Sequence, residues 1–237
     1  MLKLPCVTLV AMTSVNVPAT IKALLYSTKQ IEFGRTLLIS HEKPAKLPQK
    51  INFAFTKGII NNIDKWCYEI IYELHKYIYT DYALLIHSDG FVVNPSKWNN
   101  QFLKYDYIGA PFPLPQDSYS YRDLYGNIIR VGNSVSLRSR KILKLPTDLN
   151  LRWERHHGYF HEDGFLCCKN KHILEKNGIK FAPIEVAKNF SHEAMIPEIK
   201  RIKPFAFHKW EGSNKFYPNF ESKNPIRKLI NSILLKI

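Results

Sequence analysis

The sequence predicts an α/β domain with a mostly parallel central sheet between helical layers. Short β-rich runs alternate with helical patterns through the first half of the chain, which is the layering of successive βαβ units. The run "YALLIH", residues 82 to 87, is continuously apolar, as a strand covered on both faces requires. The stretch "NNIDKWCYEIIYELHKYIYT", residues 61 to 80, sets Ile63, Trp66, Ile70, Leu74 and Tyr77 or Ile78 three and four apart, so one helical stripe faces a sheet.

The elements follow in order. "CVTLVAM" reads as a first strand, "PATIKALLYSTKQ" as a helix with Pro18 in its first turn, "RTLLIS" as a strand, and "KINFAF" as the next segment. The helix over 61 to 80 then delivers the chain to "YALLIH". After residue 110, "APFPLPQDSYSYRDLYGN" is dense in Pro, Tyr and turn formers and reads as a long surface loop. "IIRVGNSVSLRSRKILKL" reads as a strand or hairpin around Gly132-Asn133 followed by a short helix. "EDGFLCCKNKHILEKNG" reads as a helix ending at Gly178, and "KFAPIEVAKNF" as a late strand. The tail "NPIRKLINSILLKI" places Leu229, Ile230, Ile233 and Leu234 on one stripe, a basic amphipathic helix over 222 to 237 appended to a single domain over 1 to 221. Such a helix either packs on the domain or makes a peripheral contact with an anionic membrane.

At 237 residues and 45% apolar content one core is the default. The net charge of +14 fits anionic partners. It does not point to nucleic acid, because Lys and Arg are spread along the chain and no recognition motif accompanies them. Cys6, Cys67, Cys167 and Cys168 show no zinc-knuckle spacing and two are adjacent, which predicts reduced thiols and a cytoplasmic location, with the inner face of a membrane as a refinement through the tail. The first apolar run is too short to span a bilayer and reads as a strand.

The residues placed for chemistry begin with Asp89, which ends the buried run in "HSDG". In open α/β sheets ligands bind beyond the carboxyl ends of strands. Ser-Asp-Gly is also an excellent turn sequence, so the spacing alone serves both readings. "RHHGYFHED" sets His157 and His161 four apart, but Gly158 interrupts helical spacing and the order His-Glu-x-x-His is absent, so a zinc hydrolase is not indicated.

In chain order "HSDG", "YDYIGAPF", "VGNSVSLRSR", "HEDGFLC" and "PFAFHKW" resemble an uncharacterised bacterial and viral glycosyltransferase-like family of the GT-A superfamily, over roughly residues 5 to 212. The resemblance implies a three-layer α/β/α sandwich and transfer of a sugar from a nucleotide-sugar donor to a glycan or lipid-linked acceptor, in the manner of surface polysaccharide synthesis. It implies a divalent metal, Mn²⁺ or Mg²⁺, on Asp89 and His208. Asp163, with Glu162 beside it, takes the position of a catalytic base, although both acids equally suit a helix first turn. Thr13, Ser14, Ser88 and Lys209 fall at the donor pocket, and Gly132 and Asn133 at a substrate wall. His87 replaces the usual first acid of the metal motif, and Ser134-Val135 replace expected glycines. A family member that binds glycans or nucleotides without turnover is the alternative; a basic nucleic-acid-binding protein is weaker.

Overall fold

A computed structural model describes residues 1–132, 135–154, 161–209 and 220. The first strand, β1 (Leu2–Met12), leads through Asn16 into α1 (Val17–Ser27), whose Ala19, Thr20, Ala23, Leu24 and Ser27 form the buried face. β2 (Ile31–Ser40) and β3 (Asn52–Phe55) follow. The next helix begins as α2 (Ile63–Tyr68), where the Asn62 side chain accepts the Lys65 N–H at 2.9 Å. It widens over Glu69–Glu73 and tightens over Leu74–Tyr77. β4 (Tyr82–Leu85) and β5 (Gly90–Val92) are separated by a tight turn, and β6 (Tyr107–Ile108) precedes the long loop. Beyond that loop come β7 (Ser136–Ser139) and α3 (Arg140–Asp148), then α4 (Glu162–Gly164), a wide turn over Phe165–Lys169, and α5 (Lys171–Lys176). α6 (Ile184–Phe190), β8 (Ser191–His192) and β9 (Ala206–His208) complete the described elements.

Six strands form one sheet in the order β3-β2-β1-β4-β7-β6; β1 to β4 are parallel, and β7 runs antiparallel to β4 and β6. This is an α/β/α arrangement, a mostly parallel central sheet covered by helices on both faces. Alternation along each strand divides its side chains between two layers. Leu9, Ala11, Leu38 and Leu84 pack with α1 and α6, whereas Val10, Met12, Leu37, Ile39, Ala83 and Leu85 pack with Ile70, Leu74 and Ile78 of the long helix. β1 has β2 on one side and β4 on the other, so the chain reverses its direction of travel across the sheet between them. A crevice opens beyond the carboxyl ends of such a pair.

The expectation of a strand over 180 to 190 is corrected. Phe181 makes an isolated bridge with Tyr107, and the rest is α6, because Pro183 precedes a first turn containing Glu185 while Ala187 and Phe190 bury at helical spacing. Gly178 does end the preceding helix, at φ +76°, where Ile179 N–H donates to the Leu174 carbonyl. The four cysteines are free thiols. Among the described residues no helix is long and apolar enough to cross a membrane. The anticipated 222–237 helix, Asn133 and His157 lie outside the described residues.

Among the described residues, an ion pair sits in the core. Arg138 and Glu162 are both fully buried, with Nη2 donating to Oε1 at 2.7 Å, and Nε donating to Ser136 Oγ at 2.8 Å. The guanidinium also lies over the Tyr107 ring at 5.2 Å. Breaking such a pair strands a charge without solvent. Arg138→Leu is expected to lose about 3–5 kcal/mol in a denaturant melt, with much of the loss recovered in the Arg138→Leu/Glu162→Leu double variant; a single variant as stable as wild type contradicts this role.

Candidate active site

β1 and β4 aim their ends at one cleft of about 750 Å³. Its walls include Thr13, Trp66, His87, Ser88, Asp89, Phe112, Tyr121, His161, Asp163, Glu193, His208 and Lys209. The turn sequence and the strand-end position coincide here: His87 N–H donates to the Gly90 carbonyl at 2.7 Å, so Ser88-Asp89 form the tip of a two-residue turn.

A second, three-stranded sheet, β5-β9-β8, brings distant segments to that tip. Gly90 pairs with His208, and Lys209 N–H donates to the Asp89 carbonyl at 3.1 Å. A Cβ on Gly90 would lie 2.6 Å from His208 Cδ2 and 2.7 Å from Val135 Cγ2, so the glycine permits the close approach of this histidine. Lys209 then turns the chain at φ +42°.

The resulting electrostatics are concentrated. His208 Nε2 lies 3.5 Å from Asp89 Oδ1, His208 Nδ1 3.2 Å from Glu193 Oε1, and Lys209 Nζ 3.5 Å from Asp89 Oδ2. Burial opposes ionisation of Asp89, but His208, His87 and Lys209 together hold its carboxyl well below the usual range. Burial likewise opposes a charged His208, and the two carboxylates outweigh it, raising the imidazole to about 9. Oxygen from Asp89 and nitrogen from His208, 3.5 Å apart, are a donor set that one divalent cation of the Mn²⁺ type can share.

The adjacent acids Glu162 and Asp163 separate in role. Glu162 is fully buried against Arg138 and does not line the cleft. Asp163 lines it, accepts the Gly164 N–H at 2.7 Å, and is raised to about 7, first by burial and then by the negative Glu162 beside it. Cys67, His161 and Glu162 can also bring one ligand atom each within 4.8 Å of one another. Glu162 is committed to Arg138, however, and burial followed by the Glu162 charge pushes the Cys67 thiol up, away from the thiolate a metal takes.

Other expected site residues have structural neighbours. Ser14 Oγ accepts the Ile60 N–H at 2.8 Å and stays off the cleft wall. Gly132 lies beneath Phe112, whose ring would be 2.0 Å from an added Cβ, and its carbonyl accepts the Tyr107 hydroxyl. Its value is packing: it lets Phe112 lie flat, and Phe112 stacks on Tyr121 with centroids 4.5 Å apart. Sequence reasoning missed that aromatic wall, and it missed Glu193. Trp66 does more than fill an apolar stripe: its Nε1 donates to the Met12 carbonyl at 2.8 Å and the residue lines the cleft.

Sheet order and a strand-end acidic cleft together define an α/β fold with one polar, partly buried site beyond the ends of β1 and β4. The chain belongs to the family described as protein of unknown function (DUF5672), whose model matches residues 59–208. No curated protein matches. Among solved structures it is similar to the glycosyltransferase GlyE of Streptococcus pneumoniae TIGR4, in its apo form and in a second structure, each at 12% identity and TM-score 0.42, covering 97% of this chain and 62% of that one. It is also similar to S. aureus TarS 1-349 in complex with UDP-GlcNAc, at 8% identity and TM-score 0.36, covering 65% of this chain and 51% of that one. The chain thus spans less than two thirds of the length of these structures.

Gly90→Ala is expected to destabilise the fold by about 1–3 kcal/mol, through overpacking against His208 and Val135. Thermal or chemical melting checks it, and a neutral result contradicts the close packing.

Proposed function

We propose that the protein transfers a glycosyl group from a nucleotide-sugar donor to a hydroxyl of a glycan or lipid-linked acceptor. The observation that carries this reading is the cleft itself, where the Asp89-His208-Lys209 cluster and the buried carboxyl of Asp163 share one cavity. Asp89 and His208 would hold a divalent cation, which would neutralise charge growing on the leaving diphosphate. Lys209, two-thirds exposed, adds a mobile positive charge at the same place. Thr13, the residue after β1, lines the same cleft and borders the donor side.

Asp163 serves as the base. It takes the acceptor hydroxyl proton as that oxygen bonds to the anomeric carbon, while the bond from the anomeric carbon to the diphosphate oxygen breaks and its electron pair leaves with the diphosphate. A base poised near neutrality suits this work. Phe112 and Tyr121 offer an apolar wall for the acceptor ring.

Hydrolysis or transfer assays across UDP- and GDP-sugars with Mn²⁺ test the reading. Wild type is expected to release nucleoside diphosphate, and Asp89→Ala to lose at least about 100-fold. Retained folding with no turnover of any donor by wild type contradicts it and favours a binding protein.

The pH dependence has a definite sign. Glu162, Glu193, Arg138 and the thiols of Cys67, Cys167 and Cys168 surround Asp163, and the balance keeps its proton on up to about 7. The rate is therefore expected to rise as pH increases through 7, and Asp163→Asn to abolish that limb with a loss of about 10²–10⁴-fold. Because the folded carboxyl binds its proton more tightly than the unfolded one, with its usual value of about 4, this residue's contribution to stability falls as pH rises between those values. Asp163→Asn should consequently melt higher than wild type at pH about 8; a lower melting point there contradicts the raised affinity.

A further inference from the structure

We propose that Glu193 is a positioning residue for His208. It accepts a hydrogen bond from Nδ1–H, keeps the ring proton on that nitrogen and so leaves Nε2, the nitrogen facing Asp89, as a lone-pair donor to a divalent cation. This inference rests on the metal-assisted reading above and adds a residue to which neither the sequence motifs nor the family assigns a role.

Backbone register creates the arrangement. β8 runs parallel to β9 with Ser191 opposite Ala206 and His192 opposite Phe207, so the next step sets Glu193 beside His208. β5 lies on the other side of β9 with Gly90 opposite His208, which brings Asp89 to the far edge of the same ring. The imidazole is thereby held between two carboxylates, by Nδ1 at 3.2 Å from Glu193 and Nε2 at 3.5 Å from Asp89.

A neutral imidazole carries one proton, and its position decides which nitrogen can bind a cation. An ionised carboxylate only accepts hydrogen bonds, so Glu193 holds a hydrogen on Nδ1; Asp89 faces Nε2 in the same way in the metal-free protein, and a cation bound there would take the place of the Nε2 proton and leave the Nδ1 one in position. The approach at Nδ1 has the distance of a hydrogen bond without yet its angle, and among the described residues the buried Glu193 Oε2 has no hydrogen-bond donor. Metal-binding histidines generally give their other N–H to such an acceptor, and loss of that acceptor weakens the metal.

A purely electrostatic role makes a different prediction. If Glu193 only balanced a nearby positive charge, Glu193→Gln and Glu193→Ala would be equivalent; a positioning role lets the glutamine amide oxygen still accept the Nδ1 proton.

The test is Mn²⁺ titration, followed by electron paramagnetic resonance of the free ion, of wild type, Glu193→Gln and Glu193→Ala. Melting of each variant without metal verifies its fold. Glu193→Ala is expected to weaken Mn²⁺ binding by roughly 10- to 100-fold, with Glu193→Gln recovering most of the loss. On zinc-loaded protein, nitrogen NMR of His208 should show hydrogen on Nδ1 in wild type and Glu193→Gln, and a mixture of tautomers in Glu193→Ala. Equal Mn²⁺ affinity in all three proteins, or a glutamine variant as weak as the alanine one, overturns the role of Glu193 while leaving the metal reading standing. Absence of Mn²⁺ binding by wild type sinks the metal reading and this inference with it.

Discussion

The site depends on a backbone register in a sheet only a few residues long. β9 enters between β5 and β8, and the pairing of Gly90 with His208 fixes the depth at which the histidine stops. A slip of one residue would send His208 to the opposite face, because side chains alternate along a strand. The missing Cβ at Gly90 makes that register sterically allowed, since the His208 ring occupies the space a side chain would need. Asp89, Glu193 and Lys209 are then delivered by neighbouring turns and strand ends, with no long-range adjustment required.

The buried Arg138-Glu162 pair supplies the second constraint. By taking up Glu162, Arg138 fixes the start of α4 against β7 and leaves Asp163 to face the cleft in a buried, partly negative setting. Two adjacent acids of similar chemistry thus acquire different tasks: one is neutralised as structure, and its residual field helps hold a proton on the other. The motif containing Tyr107, Phe112 and Gly132 has a related logic, since a glycine backbone carries one aromatic ring and that ring carries another to the cleft wall.

Much of the central sheet was legible because its strands are apolar runs with no competing period. Leu84 and Leu85 belong to opposite core layers, as a strand covered on both faces demands. The segment at 184 to 190 misled because Ile, Val and Phe favour strands locally, while Pro183 and the burial of Ala187 and Phe190 favour a helix in context. The small sheet was illegible in principle: strands of two or three residues carry no periodicity, and Glu193 gains its meaning from a partner strand distant in sequence. Asp89 and His208 stand in the motifs that carry the resemblance, and the fold brings them to one cleft, but the packing role of Gly132 and the burial of Glu162 required tertiary contacts that spacing does not encode.

The central claim is that Asp89 and His208 form one cation site at the mouth of the β1-β4 crevice. Crystals grown with UDP or GDP and Mn²⁺, measured at the manganese absorption edge, test it most directly. The account predicts an anomalous peak shared by an Asp89 oxygen and His208 Nε2, with the nucleotide diphosphate upon it. A peak at Cys67, His161 and Glu162 instead, or bound nucleotide with no ion between those two residues, would contradict it.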